Sequence, residues 1–178
     1  VSYLKDKLEG DGLTDTVLFT IGGHANVDPR HCVQGDMAIV RRMGEELADI
    51  IATALPTLKP LPAHSAAAVT VPWHFTTNWD ISGRLSIYFP HAAHGAPVAT
   101  EIAAWGVPGL LFVGMPGETV SEYKRILQQQ NPASRTILVS LVNDFIGYLP
   151  TDEILQQGAY EAHLSPLKPI ENALIGKA

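Results

Sequence analysis

Three residues of this chain have types and settings that suit chemistry: Glu118, Tyr148 and His24. Glu118 and Tyr148 are far apart in sequence but are expected close in space at one sheet edge. An imidazole beside them can carry a proton near neutral pH. Each also has a plain structural reading. Glu118 follows Pro116-Gly117 and would open a helix, where an acid simply complements the helix dipole. Tyr148 would be a half-buried tyrosine closing a strand. Further histidines tempt one toward a metal site: His31, and the HxxH pair His91 and His94. That pair stands in a loop flanked by Pro and Gly, with no carboxylate motif, so a solvated pair is the better reading. Asp28 lies between Val27 and Pro29 and suits a turn at least as well as catalysis. No Walker motif, dinucleotide fingerprint or nucleophile elbow is present.

The elements that must position these residues are read from hydrophobic runs and their breaks. Leu110 to Met115 is apolar and breaks at Pro116-Gly117-Glu118. A polar, helix-like segment follows from Thr119 to Gln130. A second apolar run, Thr136 to Val142, breaks at Asn143-Asp144-Phe145-Ile146-Gly147-Tyr148. Strand, helix, strand in this order makes the two strands parallel, so their ends meet one edge of the sheet. Open α/β sheets bind ligands at that edge, and Glu118 and Tyr148 are predicted close there. A β-branched run, Thr16 to Ile21, reads as another buried strand. It delivers Gly22-Gly23-His24 to the same edge, which makes His24 the catalytic candidate among the histidines.

The rest of the chain supports these strands. Residues 2 to 8 read as an amphipathic helix with Tyr3, Leu4 and Leu8 on one face, ended by Gly10-Asp11-Gly12. Asp36 to Leu55 is the clearest helix, with Ile39, Met43, Leu47, Ile50 and Ile51 as its apolar face and Pro56 as its end. Ala66 to Val71 reads as a strand broken by Pro72. Trp73 to Ala93 reads as an excursion with one short strand, Leu85 to Phe89. Val98 to Trp105 admits helix or strand, and the turn Gly106-Val107-Pro108-Gly109 favours a β-hairpin. Thr151 caps a short helix. Gly158 to Ala178 reads mostly as a tail. The fold class is α/β: a mixed sheet with a parallel βαβ unit at 110–142 and helices packed on it.

Composition narrows the function. Among 178 residues, 46% are hydrophobic and 17% charged, which is a globular balance and not a disordered one. The net charge of −6 argues against a nucleic-acid surface. No apolar run approaches a bilayer span, and no signal-peptide pattern opens the chain. Cys32 is the single cysteine, so no internal disulfide forms. Residues 1–178 are expected to make one domain. The start at Val1, without an initiator Met, suggests a processed or excised piece.

Pro116-Gly117-Glu118, then Asn143 to Tyr148, then Tyr160-Glu161-Ala162 together resemble the C-terminal part of the neutral/alkaline ceramidase family. Gly22 to Arg30 looks like that family's glycine-containing loop. Block order and the spacing from Tyr148 to Tyr160 match as well. The resemblance implies the C-terminal portion of a larger zinc hydrolase that cleaves the N-acyl amide of ceramide-like lipids. It implies Glu118 and Tyr148 as zinc ligands and Tyr160 as the group that steadies the oxyanion. The family's two histidine ligands lie before the stretch matching Val1. The implied partner is therefore an N-terminal half of the same protein, or a second chain, and zinc is expected only with that segment. A lipid-like small substrate is implied, with neither nucleic acid nor a transmembrane segment. Gly22 stands where the family has a serine and Asn26 where it has an aspartate. Those two exchanges support the alternative, a non-catalytic ceramidase-like protein that binds a ligand or partner.

Overall fold

Turn chemistry builds the sheet of this chain, described here in a computed structural model for residues 1–33, 35–61, 65–77, 95–167 and 174. β2 (Pro97–Val107) and β3 (Leu110–Gly114) form the expected hairpin, with Val107 opposite Leu110. The reversal falls on Pro108-Gly109, where Gly109 has φ 85°, a backbone that glycine adopts without strain. β1 (Ala67–Thr76) adds antiparallel to β2. β5 (Arg135–Val139) adds parallel to β3, giving the order β1-β2-β3-β5. The crossover between β3 and β5 carries α3 (Glu122–Gln130). The mixed sheet and its parallel βαβ unit are thus as the hydrophobic runs predict.

α3 is amphipathic. Tyr123 and Leu127, four residues apart, are fully buried, while Lys124 and Arg125 face water. They join Trp73, Ile102, Val113, Leu138, Ile146 and Leu149 in the main core. The Tyr123 hydroxyl donates to the Pro150 carbonyl at 3.1 Å, so burying it leaves no polar group unpaired. Thr151 caps α4 (Asp152–Gln157), its hydroxyl accepting from the Ile154 N–H.

Two compact units divide the chain: Val1–Thr20 with Asp28–Pro60, and Ile21–Val27 with Leu61–Ala178. The sheet, α3 and everything after them belong to the second. The first consists of α1 (Ser2–Gly10) and α2 (Met37–Ala54), both at the predicted places. Leu4, Leu8 and Ala48 form its core. Among the described residues no helix is long and apolar enough to cross a membrane.

Several expectations need correction. α2 does not bury the face marked by Leu47 and Ile50, and Ile50 is 67% exposed. α1 docks one step round the helix, on Gly44 and Ala48. A Cβ at Gly44 would stand 3.0 Å from that of Tyr3, so small residues there let the two helices approach. Pro72 does not end its strand. It lies within β1 opposite Glu101, on an edge strand, where a residue without an N–H is tolerated. The strand therefore continues through Trp73 to Thr76, while Leu85 to Phe89, His91 and His94 lie outside the described residues. Thr16 to Ile21 is not a strand. Leu18 is 87% exposed, and the segment lies in no sheet ladder. The stretch after Gly158 is more than a tail. α5 (Tyr160–His163) opens it, and Leu164, Ser165, Pro166, Leu167 and Leu174 are buried.

Candidate active site

The helix expected to begin at Thr119 begins at Glu122, and the residues before it form a strand. Glu118 and Thr119 make β4, which pairs parallel with β6 (Tyr148–Leu149). Glu118 stands opposite Tyr148 in that register. A helix-dipole role for Glu118 is thereby overturned, because the residue sits in an extended pair ahead of the helix. Backbone bonds that tie the strands include Glu118 N–H to the Gly147 carbonyl at 2.9 Å and Val120 N–H to the Leu149 carbonyl at 3.3 Å. Gly117 permits this approach, since a Cβ there would fall 2.5 Å from the Gly147 oxygen.

Register partners in a parallel pair point to the same side, and here the two side chains meet. The Tyr148 hydroxyl hydrogen-bonds the Glu118 carboxylate. Burial raises the phenol's pKa well above its usual 10, and the bond to Glu118 and that residue's charge push it further the same way. Tyr160, the first residue of α5, packs edge-on against Tyr148 with ring centroids 5.6 Å apart at 82°. Tyr160 is 65% exposed, and its side chain hydrogen-bonds that of Tyr148.

His24 reaches the same place from the loop Ile21–Val27. Its Nε2 is 3.6 Å from a Glu118 carboxylate oxygen. Its Nδ1 is 3.2 Å from the Gly22 carbonyl. A carbonyl only accepts, so Nδ1 is placed to donate to it, while Nε2 is the nitrogen turned toward Glu118. The His24 and Ala25 N–H groups both donate to the Thr119 carbonyl, at 2.9 and 3.2 Å. Ser140, just past β5, holds the other flank. Its N–H bonds the Ile21 carbonyl at 2.8 Å and its hydroxyl bonds the Gly22 carbonyl at 2.9 Å.

All four sequence-predicted residues, Glu118, Tyr148, Tyr160 and His24, therefore lie in one cluster within the second unit. Asp28 and His31 belong to the first unit and are exposed. Among the described residues no group of three His, Cys, Asp or Glu side chains suits a metal ion. The donors gathered here are one carboxylate, two phenols and one imidazole. Sequence reasoning gave Asn26 no bracing role and missed Ser121, Glu122 and Ser140, which with it brace the histidine loop. Their partners lie as far as 118 residues away, and no local pattern marks them.

No family model matches this chain, and no curated protein matches it in sequence. Its fold has a match among solved structures. The chain superposes on the crystal structure of neutral ceramidase from Pseudomonas aeruginosa with a TM-score of 0.62 at 12% identity. The match covers 98% of this chain and 38% of that one. The fold expected from the resemblance is therefore present: this chain has a ceramidase-like fold and spans 38% of the length of that ceramidase.

Proposed function

We propose that this chain is the C-terminal part of a zinc-dependent hydrolase that cleaves the amide of ceramide-like N-acyl lipids. The observation that carries this reading is the Glu118–Tyr148 pair. Carboxylate and phenol stand opposite each other on two short parallel strands, with Tyr160 against the phenol, in a ceramidase-like fold.

The donor set fits one part of a zinc centre. Zinc sites combine nitrogen and oxygen ligands, and catalytic ones keep a position open. Glu118 and Tyr148 would supply two oxygens. Two imidazoles from an N-terminal segment of the same protein, or from a second chain, would supply the rest. Tyr148 must lose its proton on binding, and its contact with Glu118 opposes that loss until a cation compensates it. When bound, zinc polarises a carbonyl and acidifies a water ligand.

This chain's own residues do the remaining work. Tyr160 donates a hydrogen bond to the amide oxygen as that oxygen gains charge. His24, its Nδ1 held by Gly22, takes up and returns a proton at Nε2. The proposed substrate class, an N-acyl amide on a lipid, is supported by the sequence resemblance and is compatible with the ceramidase-like fold.

Metal analysis of the full-length protein tests the reading. About one zinc per chain is expected, with zinc and N-acyl lipid hydrolysis both lost in Glu118→Ala. Tyr160→Phe should keep its zinc while kcat falls by roughly 10² to 10³. A Glu118→Ala protein that retains its zinc would overturn the assignment. Zinc-loaded protein that binds N-acyl lipids but cleaves none would instead favour the non-catalytic binding protein. Gly22 and Asn26, replacing the family's serine and aspartate, are the residues behind that second reading.

A further inference from the structure

The loop that carries His24 has no helix or strand of its own, yet it is held along its whole length. Ser140 grips its start through the Ile21 and Gly22 carbonyls. The Thr119 carbonyl holds its middle through the His24 and Ala25 N–H groups. Gly23 lies so close to the strand-to-helix joint that a Cβ would stand 2.8 Å from the Ser121 Cα and 2.9 Å from the Val120 oxygen. The far end is held by one side chain, Asn26. Its Oδ1 accepts from the Ser121 N–H at 2.9 Å. Its Nδ2 faces both oxygens of the Glu122 carboxylate, at 2.9 and 3.1 Å.

We infer that Asn26 is the positioning residue for His24. An amide is suited to this place because it offers an acceptor and a donor on opposite sides. The acceptor meets a backbone N–H at the mouth of α3, and the donor meets a charged carboxylate, which makes the stronger kind of hydrogen bond. Asn26 thus ties the loop to the first residues after β4, the strand that carries Glu118. Loop and carboxylate are referred to one short stretch of backbone, which fixes His24 Nε2 beside Glu118. An aspartate at position 26 would keep the bond to Ser121 but set a second carboxylate about 3 Å from Glu122, where like charges repel. Glutamine at position 122 would then repair the pair by donating to that aspartate. The clamp stands on geometry alone. Only its consequence for hydrolysis rests on the function proposed above.

The test compares Asn26→Asp, Glu122→Gln and the double variant by nuclear magnetic resonance of the full chain. Asn26→Asp should make the His24 and Ala25 amides exchange about tenfold faster or more, while the amides of β3 and β5 exchange as before. Its His24 ring signals should shift. Glu122→Gln alone keeps one amide-to-carbonyl bond without the charge, and should shift the His24 signals less than Asn26→Asp does. The double variant should return both readouts to those of the parent. Unchanged His24 signals in Asn26→Asp would overturn the inference, as would a folded double variant whose His24 signals stay displaced. If Asn26→Asp does not fold, the double variant decides alone by the same criterion. Hydrolysis of an N-acyl lipid by the zinc-loaded full-length protein is a separate arm. Rescue of the His24 signals with no hydrolysis in any variant upholds the clamp and counts against the proposed activity.

Discussion

At Tyr148 the surroundings override the residue type. A solvent-exposed tyrosine loses its proton near pH 10, and here burial and the Glu118 carboxylate hold that proton on. The sign of the consequence follows. Below pH 10 the folded and unfolded chains both keep the proton, and the stabilisation is fully present. As pH rises beyond 10 the unfolded chain ionises first, so metal-free protein loses stability toward alkaline pH. Ultraviolet titration should show delayed tyrosine ionisation, and Tyr148→Phe should remove one residue's worth of it. A delay unchanged in Tyr148→Phe would assign it elsewhere. Glu118, Tyr148 and His24 were legible because each stands at a break after an apolar run, and Tyr160 through the resemblance. Asn26 was not, because its role depends on Glu122, 96 positions away.

Two strands of two residues each, β4 and β6, bring the site together. So short a pair has little stability of its own, since it closes few ladder bonds. It persists because Thr119, Val120 and Leu149 beside it are fully buried and because Gly117 lets the backbones approach. Gly117→Ala should therefore cost roughly 1 to 3 kcal/mol in chemical denaturation, since the added methyl meets backbone that cannot yield. It should also separate Glu118 from Tyr148, visible as an earlier ionisation of Tyr148. The sequence reading extended α3 back to Thr119 because residues 119–130 are polar enough for an exposed helix. Helical spacing cannot distinguish a helix's first turn from an extended lead-in whose partner is a distant strand. The same blindness made Thr16 to Ile21 look like a strand. Its β-branched residues suit one, but a strand also needs a neighbour to bond.

Across the whole molecule, each unit has its own core, and the site belongs to the second. Leu127 is fully buried there among sheet and helix side chains. Leu127→Ala should lower unfolding stability by about 2 to 5 kcal/mol, through lost burial and the cavity left behind. A value below about 1 kcal/mol would mean that α3 is not the main cover of the sheet. The fold likeness spans 38% of the length of a ceramidase.

The hairpin at Pro108-Gly109, the parallel crossover, α1, α2 and the cap at Thr151 were determined by the sequence itself. Their signals are local: apolar spacing, turn residues and caps act within a few positions. Tertiary structure decided which face α2 buries, that the chain beyond Leu164 returns to the core, and that Glu118 pairs with Tyr148 as a strand. It also decided that an asparagine would hold the histidine loop. These outcomes compare contacts between segments remote in sequence. They turn on close approach at glycines and on the pairing of buried polar groups, which become defined only once the chain is packed.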